Sequence, residues 1–423
     1  MSYDLNNRRD NAIKKLYLRI SALSFSNNLV SPILPYLIVY YGGGATESGI
    51  FQASNNLLGN IGQVMWGRIS DSTGRRRLML LLGALSTVII SIASLVLIGV
   101  FGSANPYEII AISAIATFIG SASAPVIGDV ISDLAGQSRR SIVYSMHSNL
   151  SAVFSIAGNI ATTIMFQCMP STFLALLVIF FSALVLGFVS VFATLSISGV
   201  VIDRNINSDS SVLHKRAGLG IEEFVKSFKI TLSNPGFKGF VYANTLYNFS
   251  MSLAWPLFIL SQQDVLNLSP AQITSLSIAS NITMVLSQYL AGKYVERSRY
   301  RFYTLLNRFG LVIVPLVYAF SASYVSLLAL NIFTGFINGF TNIIFPMYII
   351  ECAREGDRAT FFGVYNTAIG LASFAGSMLG GLLSGYLIDI FGLVQGLRIS
   401  YMISAVMRLS SAIVTARMKE YIY

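Results

Sequence analysis

The chain predicts an all-α membrane protein in which twelve transmembrane helices form two pseudo-symmetric six-helix bundles. Three observations carry this expectation. Of 423 residues, 54% are hydrophobic and 11% charged, against about 25% charged in soluble domains. The apolar residues gather into runs long enough to cross a hydrocarbon core about 30 Å thick at about 1.5 Å per residue. A set of polar residues and glycines then recurs at one fixed shift along the chain.

The runs are twelve, at 16–40, 48–69, 78–99, 109–131, 142–166, 173–195, 240–260, 273–294, 302–321, 325–350, 361–388 and 399–416. They are continuous rather than alternating at period two, which excludes a β-barrel. The first follows Arg8, Arg9, Lys14 and Lys15; it is too long, and lacks the small-residue cleavage site, for a removable signal peptide. It reads as a retained first span. Cys168 follows the fifth run and Cys352 ends the tenth, so the two thiols fall on opposite membrane faces and cannot pair.

The net charge of +10 is concentrated in alternate loops: the N-terminus, Arg75 to Arg77, Arg139 and Arg140, Lys215 and Arg216, Arg297 to Arg301, Arg354 with Arg358, and Arg417 with Lys419. The intervening loops are nearly free of basic residues, Arg398 excepted. The positive-inside rule then places both termini and the central loop in the cytoplasm, with the protein in the cytoplasmic membrane. The excess charge orients the chain and gives no reason to expect nucleic acid.

A polar interval divides the chain into an N-terminal bundle, 1–195, a linker, 196–239, and a C-terminal bundle, 240–423. Within the linker, 221–230 places its apolar residues at helical spacing beside Lys226 and Lys229. It reads as an amphipathic helix along the inner leaflet, with a disordered linker as the alternative. The two halves share a plan. A shift of 225 pairs Asn56 with Asn281, Gln63 with Gln288, Gly67 with Gly292 and Asp71 with Glu296. A shift of 218 pairs Asp133 with Glu351, Arg140 with Arg358 and Gly158 with Gly376. Unequal loops account for the change of shift.

Between the second and third runs, 67–77 reads Gly-Arg-Ile-Ser-Asp-Ser-Thr-Gly-Arg-Arg-Arg. This stretch resembles the signature loop of the major facilitator superfamily: Gly67, Asp71, Gly74, Arg75 and Arg76 match, and Ser72 stands where the family usually has a basic residue. The resemblance implies two parallel six-helix repeats. It also implies that Asp71, Arg75 and Asp133 meet on the cytoplasmic face and latch the outward-open state, the N-terminus of the eleventh span favouring the carboxylate. Arg140 and the second-half counterparts Glu296, Glu351 and Arg358 extend the gating set. A static topogenic cluster is the plainer reading of the same charges.

Charged residues look almost absent from mid-membrane positions, where they are costly and usually functional. A phosphorylated or carboxylate solute would want an arginine in the first or seventh span, so a neutral, zwitterionic or amphipathic solute is expected. Helical spacing puts Ser24, Asn28, Ser31 and Pro35 on one stripe, Asn244, Asn248, Met251 and Trp255 on a second, and Asn331, Gly335, Asn338 and Asn342 on a third. By the resemblance, the first, fourth, seventh and tenth spans line a central cavity, and amides beside aromatic faces suit hydroxyl-bearing or mixed ligands. Interhelical hydrogen bonds are the alternative for each amide taken singly. Pro35, Pro125, Pro256 and Pro346 fall in those same four spans and predict kinks. Arg408, inside the last run, is expected to snorkel to the cytoplasmic interface.

Asp129 lies one turn before Asp133, and His147 about two turns into the fifth span. They form a candidate proton relay, with a purely structural role as the alternative. The fifth span lacks the Gly-Pro of drug/proton antiporters (Ala157, Gly158, Asn159), and Ala116 stands where many proton-coupled members carry arginine. The expected function is a secondary active transporter for a small neutral or amphipathic organic solute, working by alternating access as a monomer, with protons as the candidate coupling ion. Efflux, sugar-like uptake and a non-transporting sensor all stay open. No metal-ligand cluster, catalytic nucleophile with a base, or ATP-binding Gly-Lys-Ser/Thr loop occurs, so no enzyme activity, metal or cofactor is expected.

Overall fold

The computed structural model describes residues 2–102, 104–197, 203, 228–295, 300–320, 323–353 and 358–417. The linker expectation at 221–230 therefore lies largely outside the described residues. Among those described, the chain is helical, with no strand.

The first half comprises α1 (Ser2–Val30), α2 (Ile33–Tyr40), α3 (Ala45–Thr73), α4 (Arg76–Leu95, continued by a π-turn at Val96–Val100), α5 (Pro106–Gly120), α6 (Ala124–Cys168) and α7 (Thr172–Ser196). The second comprises α8 (Pro235–Ser252), α9 (Trp255–Leu260), α10 (Pro270–Tyr294), α11 (Tyr300–Gly310), α12 (Ile313–Phe320), α13 (Tyr324–Cys352), α14 (Arg358–Phe391) and α15 (Leu393–Arg417). Starts are set by side-chain caps: Asn105 before α5 and Ser269 before α10 each complete a capping box, with Glu108 and Gln272 returning the bond. Within α6, Gly136 adopts φ 67°, a left-handed turn open to glycine that separates the fourth run from the fifth.

Nine helical stretches among the described residues are long and apolar enough to cross a membrane. The runs at 48–69, 240–260 and 273–294 also form helices, α3, α8 with α9, and α10. They fall short of that standard because α3 and α10 are rich in Asn, Gln and Ser, and the run at 240–260 is broken between α8 and α9.

Three of the four expected prolines follow helix breaks. Pro35 lies beyond the interruption between α1 and α2, Pro125 follows a 3-10 turn at Ser121–Ser123, and Pro256 opens α9. Pro346 sits inside the continuous α13. A proline cannot donate to the carbonyl four residues back, so each break needs another donor.

By compactness the chain forms two units, Met1–Leu34 with Leu58–Leu219, and Pro35–Leu57 with Gly220–Tyr423. The segment α2 with the first part of α3, read in the sequence as part of the N-terminal bundle, groups with the C-terminal half. Its anchor is a glycine crossing: a Cβ on Gly49 would lie 2.6 Å from Gly381 Cα.

Inside each unit the repeat is visible in contacts. In the first, α1 packs on α6 and α7; in the second, α8 packs on α14 and α15. A Cβ on Gly158 would lie 2.6 Å from Phe25 O, and one on Gly376 2.5 Å from Phe249 O. Both glycines let a neighbouring backbone approach as small residues do in membrane bundles. At the basic end, Arg77 donates to Leu195 O at the close of α7, and Arg301 Nη2 to Ala416 O (3.0 Å) at the close of α15. Each arginine satisfies a carbonyl stranded at a helix terminus.

Candidate functional site

The signature loop turns on Gly74, whose φ of 66° is costly for any residue with a Cβ. Its amide closes α3 by donating to Ser70 O (2.8 Å). The next residue, Arg75, is exposed at the N-cap of α4. The arginine that engages the acids is Arg76, 7% exposed: Nη2 lies 3.3 Å from Asp129 Oδ2, and Nη1 bonds Asp133 Oδ2. The interaction expected of Arg75 with Asp133 is thus made by its neighbour, because the tight turn puts residue 76 on the inner face of α4. Both carboxylates remain more than half exposed, so each pair is worth about 0–1 kcal/mol. Gly67 meets Pro125 of α6, Arg140 and Glu351 are exposed, and Glu296 and the side chains of Asp71 and Arg358 lie outside the described residues.

The amide stripes divide. Asn28 Nδ2 donates to Ser24 O and Ser155 Oγ (both 2.9 Å), tying α1 to α6. Asn244 is fully buried; its Nδ2 donates to Phe240 O (2.9 Å) and its Oδ1 accepts from Arg308. Asn248 Nδ2 reaches Asn244 O (2.9 Å), and Asn338 Oδ1 accepts from Asn307 (2.9 Å). Trp255 is half-buried at the start of α9, while Ser31 and Asn342 are exposed. Asp129 and His147 are not brought together: Asp129 faces Arg76, whereas His147 is buried with Nε2 unpartnered.

Three buried arginines correct the expectation of a bundle interior without charge. Arg19 is 1% exposed and donates to Leu80 O (3.0 Å). Arg308 is 3% exposed, bonded to Asn244 and stacked 3.7 Å from the Tyr247 ring. Arg408 is 0% exposed and does not snorkel. Its Nη1 donates to Leu311 O (2.9 Å) and Nη2 to Met251 O (3.0 Å). The first is the carbonyl Pro315 cannot serve; the second lies at the break between α8 and α9. The signal was present in the sequence, since each arginine interrupts an apolar run.

Beside Arg408 lies a cavity of about 130 Å³ within the C-terminal unit. Met251 of the second stripe and Asn331 and Asn338 of the third line it, with Thr334, Tyr318 and Phe258. Polar amides, an aromatic wall and one buried cation are suited to holding a small organic molecule.

A two-unit helical bundle with paired repeats, an arginine–carboxylate loop at one end and a polar cavity inside is the architecture of a membrane transporter. The sequence pattern of the Major Facilitator Superfamily matches residues 17–377 and 243–420, and the chain belongs to that family. It is 23% identical over 391 residues to an MFS-type transporter of Methanocaldococcus jannaschii, covering 89% of this chain and 90% of the relative. In structure it is similar to the nucleoside transporter NupG (TM-score 0.70, 15% identity, 98% and 100% of the two chains). It is similar also to the D-xylose-proton symporter (0.68, 14%, 98% of each) and to a bacterial homologue of the human lysosomal transporter Spinster (0.69, 13%, 96% of each). These likenesses establish the fold.

Proposed function

We propose that this protein is a secondary active transporter that carries a small amphipathic organic solute across the cytoplasmic membrane by alternating access, its basic loops facing the cytoplasm. The observation that carries the reading is the matched interruption of the two helices that open the halves. The first breaks between Val30 and Ile33, the second between Ser252 and Trp255; 252 − 30 and 255 − 33 both give 222. Interrupted helices at repeat-equivalent positions are where transporters of repeated architecture bind their solutes. Asn28, Ser31, Asn248, Trp255, Asn338 and Asn342 flank these breaks or the adjoining stripe and are the proposed solute contacts. Asn244 serves from behind by holding Arg308.

In this reading the Arg76, Asp129 and Asp133 cluster, with Asp71, Gly74 and Arg140, forms the cytoplasmic latch; Glu296, Glu351 and Arg358 are its second-half counterparts. Proton coupling through Asp129 and His147 would require a step that brings them together. Reconstituted vesicles under imposed proton and solute gradients test the proposal with a panel of nucleosides, sugars, peptides and organic acids. Gradient-dependent accumulation of one class supports it. Binding without movement under any gradient favours a sensor. Equal proton dependence in the parent, Asp129→Asn and His147→Gln would remove the relay while leaving transport intact.

A further inference from the structure

We infer that the cavity beside Arg408 is a binding site for the carboxylate of a short-chain monocarboxylic acid; this rests on reading that cavity as the C-terminal part of the solute path. In the N-terminal unit Arg76 and Arg139 are paired with carboxylates. The C-terminal unit nevertheless buries two guanidinium groups, Arg308 and Arg408, neither with a carboxylate. Arg308 is offset by the amide oxygens of Asn244 and Asn307 and by the Tyr247 and Phe345 rings. Arg408 has only two main-chain carbonyls, which take two of its five N–H groups, and its buried Nε has no acceptor. A buried cation that lacks an anion is strongly unfavourable, and this one borders open volume.

The other polar groups of the cavity complete a carboxylate site. Asn338 spends its Oδ1 on Asn307, which leaves its Nδ2 to donate. Asn331 spends one Nδ2 hydrogen on Leu327 O (2.8 Å), which leaves its Oδ1 to accept from a hydroxyl on the ligand. Met251, Phe258 and Val314 supply apolar walls. A volume of about 130 Å³ corresponds to roughly four waters of about 30 Å³ each, room for an acid of three or four carbons. One positive charge selects a monoanion over a dianion, and the Asn331 acceptor selects a 2-hydroxy acid over the plain acid.

The test is equilibrium binding to the purified full-length protein, using sodium propionate, sodium lactate, propionamide, disodium succinate and sodium chloride. Lactate and propionate are expected to bind about 10- to 100-fold more tightly than propionamide, since a hydrogen bond to a buried charge is lost in the amide. Lactate should exceed propionate, and Asn331→Leu should erase that difference alone. Arg408→Gln should abolish carboxylate binding; because it also removes the side-chain donor to Leu311 O and Met251 O, the comparison of acid with amide on the unaltered protein decides independently of its folding. Equal binding of propionamide, chloride as strong as lactate, or no binding of any probe overturns the assignment. Vesicle flux separates it from the transport reading: movement of an uncharged solute that lactate neither accompanies nor inhibits sinks the carboxylate site and spares transport. Tight lactate binding with no flux under any gradient does the reverse.

Discussion

Replacing Asn244 by leucine removes the one side-chain oxygen that Arg308 Nη2 bonds while keeping the branched outline of the side chain. The guanidinium is 3% exposed, so water cannot replace the lost acceptor. Leaving a buried charge uncompensated costs about 3–5 kcal/mol. The Asn307 Oδ1 acceptor at 3.4 Å, the Tyr247 ring at 3.7 Å and the Phe345 ring at 5.1 Å remain, the rings alone returning about 1–2 kcal/mol of cation–π attraction. The expected loss is therefore about 2–3 kcal/mol. Arg308→Leu removes the guanidinium donor to the Asn244 oxygen instead and should cost about 1–3 kcal/mol. The two changes together remove both partners, so the double variant should be more stable than the sum of the singles by about 2 kcal/mol. Reversible unfolding of the purified protein in mixed detergent micelles, followed by Trp66 and Trp255 fluorescence, measures all three. A neutral Asn244→Leu, or strict additivity in the double variant, would refute the view that this amide is the cation's buried partner.

The remaining expectations are simpler. Gly74→Ala forces a side chain into the left-handed region and should destabilise by about 1–2 kcal/mol, read in the same unfolding assay. Arg76→Gln and Asp133→Asn should change stability by no more than about 1 kcal/mol, given the exposure of the carboxylates, yet slow vesicle transport strongly; normal rates would remove the latch, and Asp71→Asn is expected to share their phenotype. Gly376→Leu has no room at Phe249 O and Ser252 Cβ and should lose more than about 1–3 kcal/mol, as should Gly158→Leu in the other half; thermal inactivation of the purified variants checks both.

Much of the architecture was legible because membrane spans are written in long apolar runs and breaks in proline. Nine stretches and the family follow directly. Where the reading went astray, hydropathy averaging was the cause. A window that scores 399–416 as apolar gives no weight to one arginine, although Arg408 carries much of that unit's internal chemistry by serving two broken helices at once. Spacing put Asn244 and Asn338 on cavity stripes, but periodicity identifies a face without saying what meets it. For Asn244 the neighbour is Arg308, sixty-four residues away. The choice of Arg76 over Arg75 depends on the left-handed turn at Gly74, a backbone angle that a motif does not record.

The repeat explains why those arginines stand where they do. A shift of 225, which aligns Asn56 with Asn281 and lies three residues from the 222 of the helix breaks, carries Arg19 to Asn244 and Gly83 to Arg308. In the N-terminal unit the cation comes from α1 and reaches toward α4, where a Cβ on Gly83 would lie 3.3 Å from Arg19 Nη2. In the C-terminal unit it comes from α11 and reaches Asn244 of α8. Each half thus buries a guanidinium between its first and third repeat helices, Arg19 between α1 and α4 and Arg308 between α11 and α8, supplied from opposite sides. The arrangements are not interchangeable piecemeal, because the Cβ position of Gly83 is also 2.6 Å from Ser123 Cβ, so an arginine there has no path out of the backbone. What the two halves retain is therefore the buried cation that ties their first and third helices, while the residue that provides it has changed. A sequence comparison of the halves, position by position, reads that as divergence.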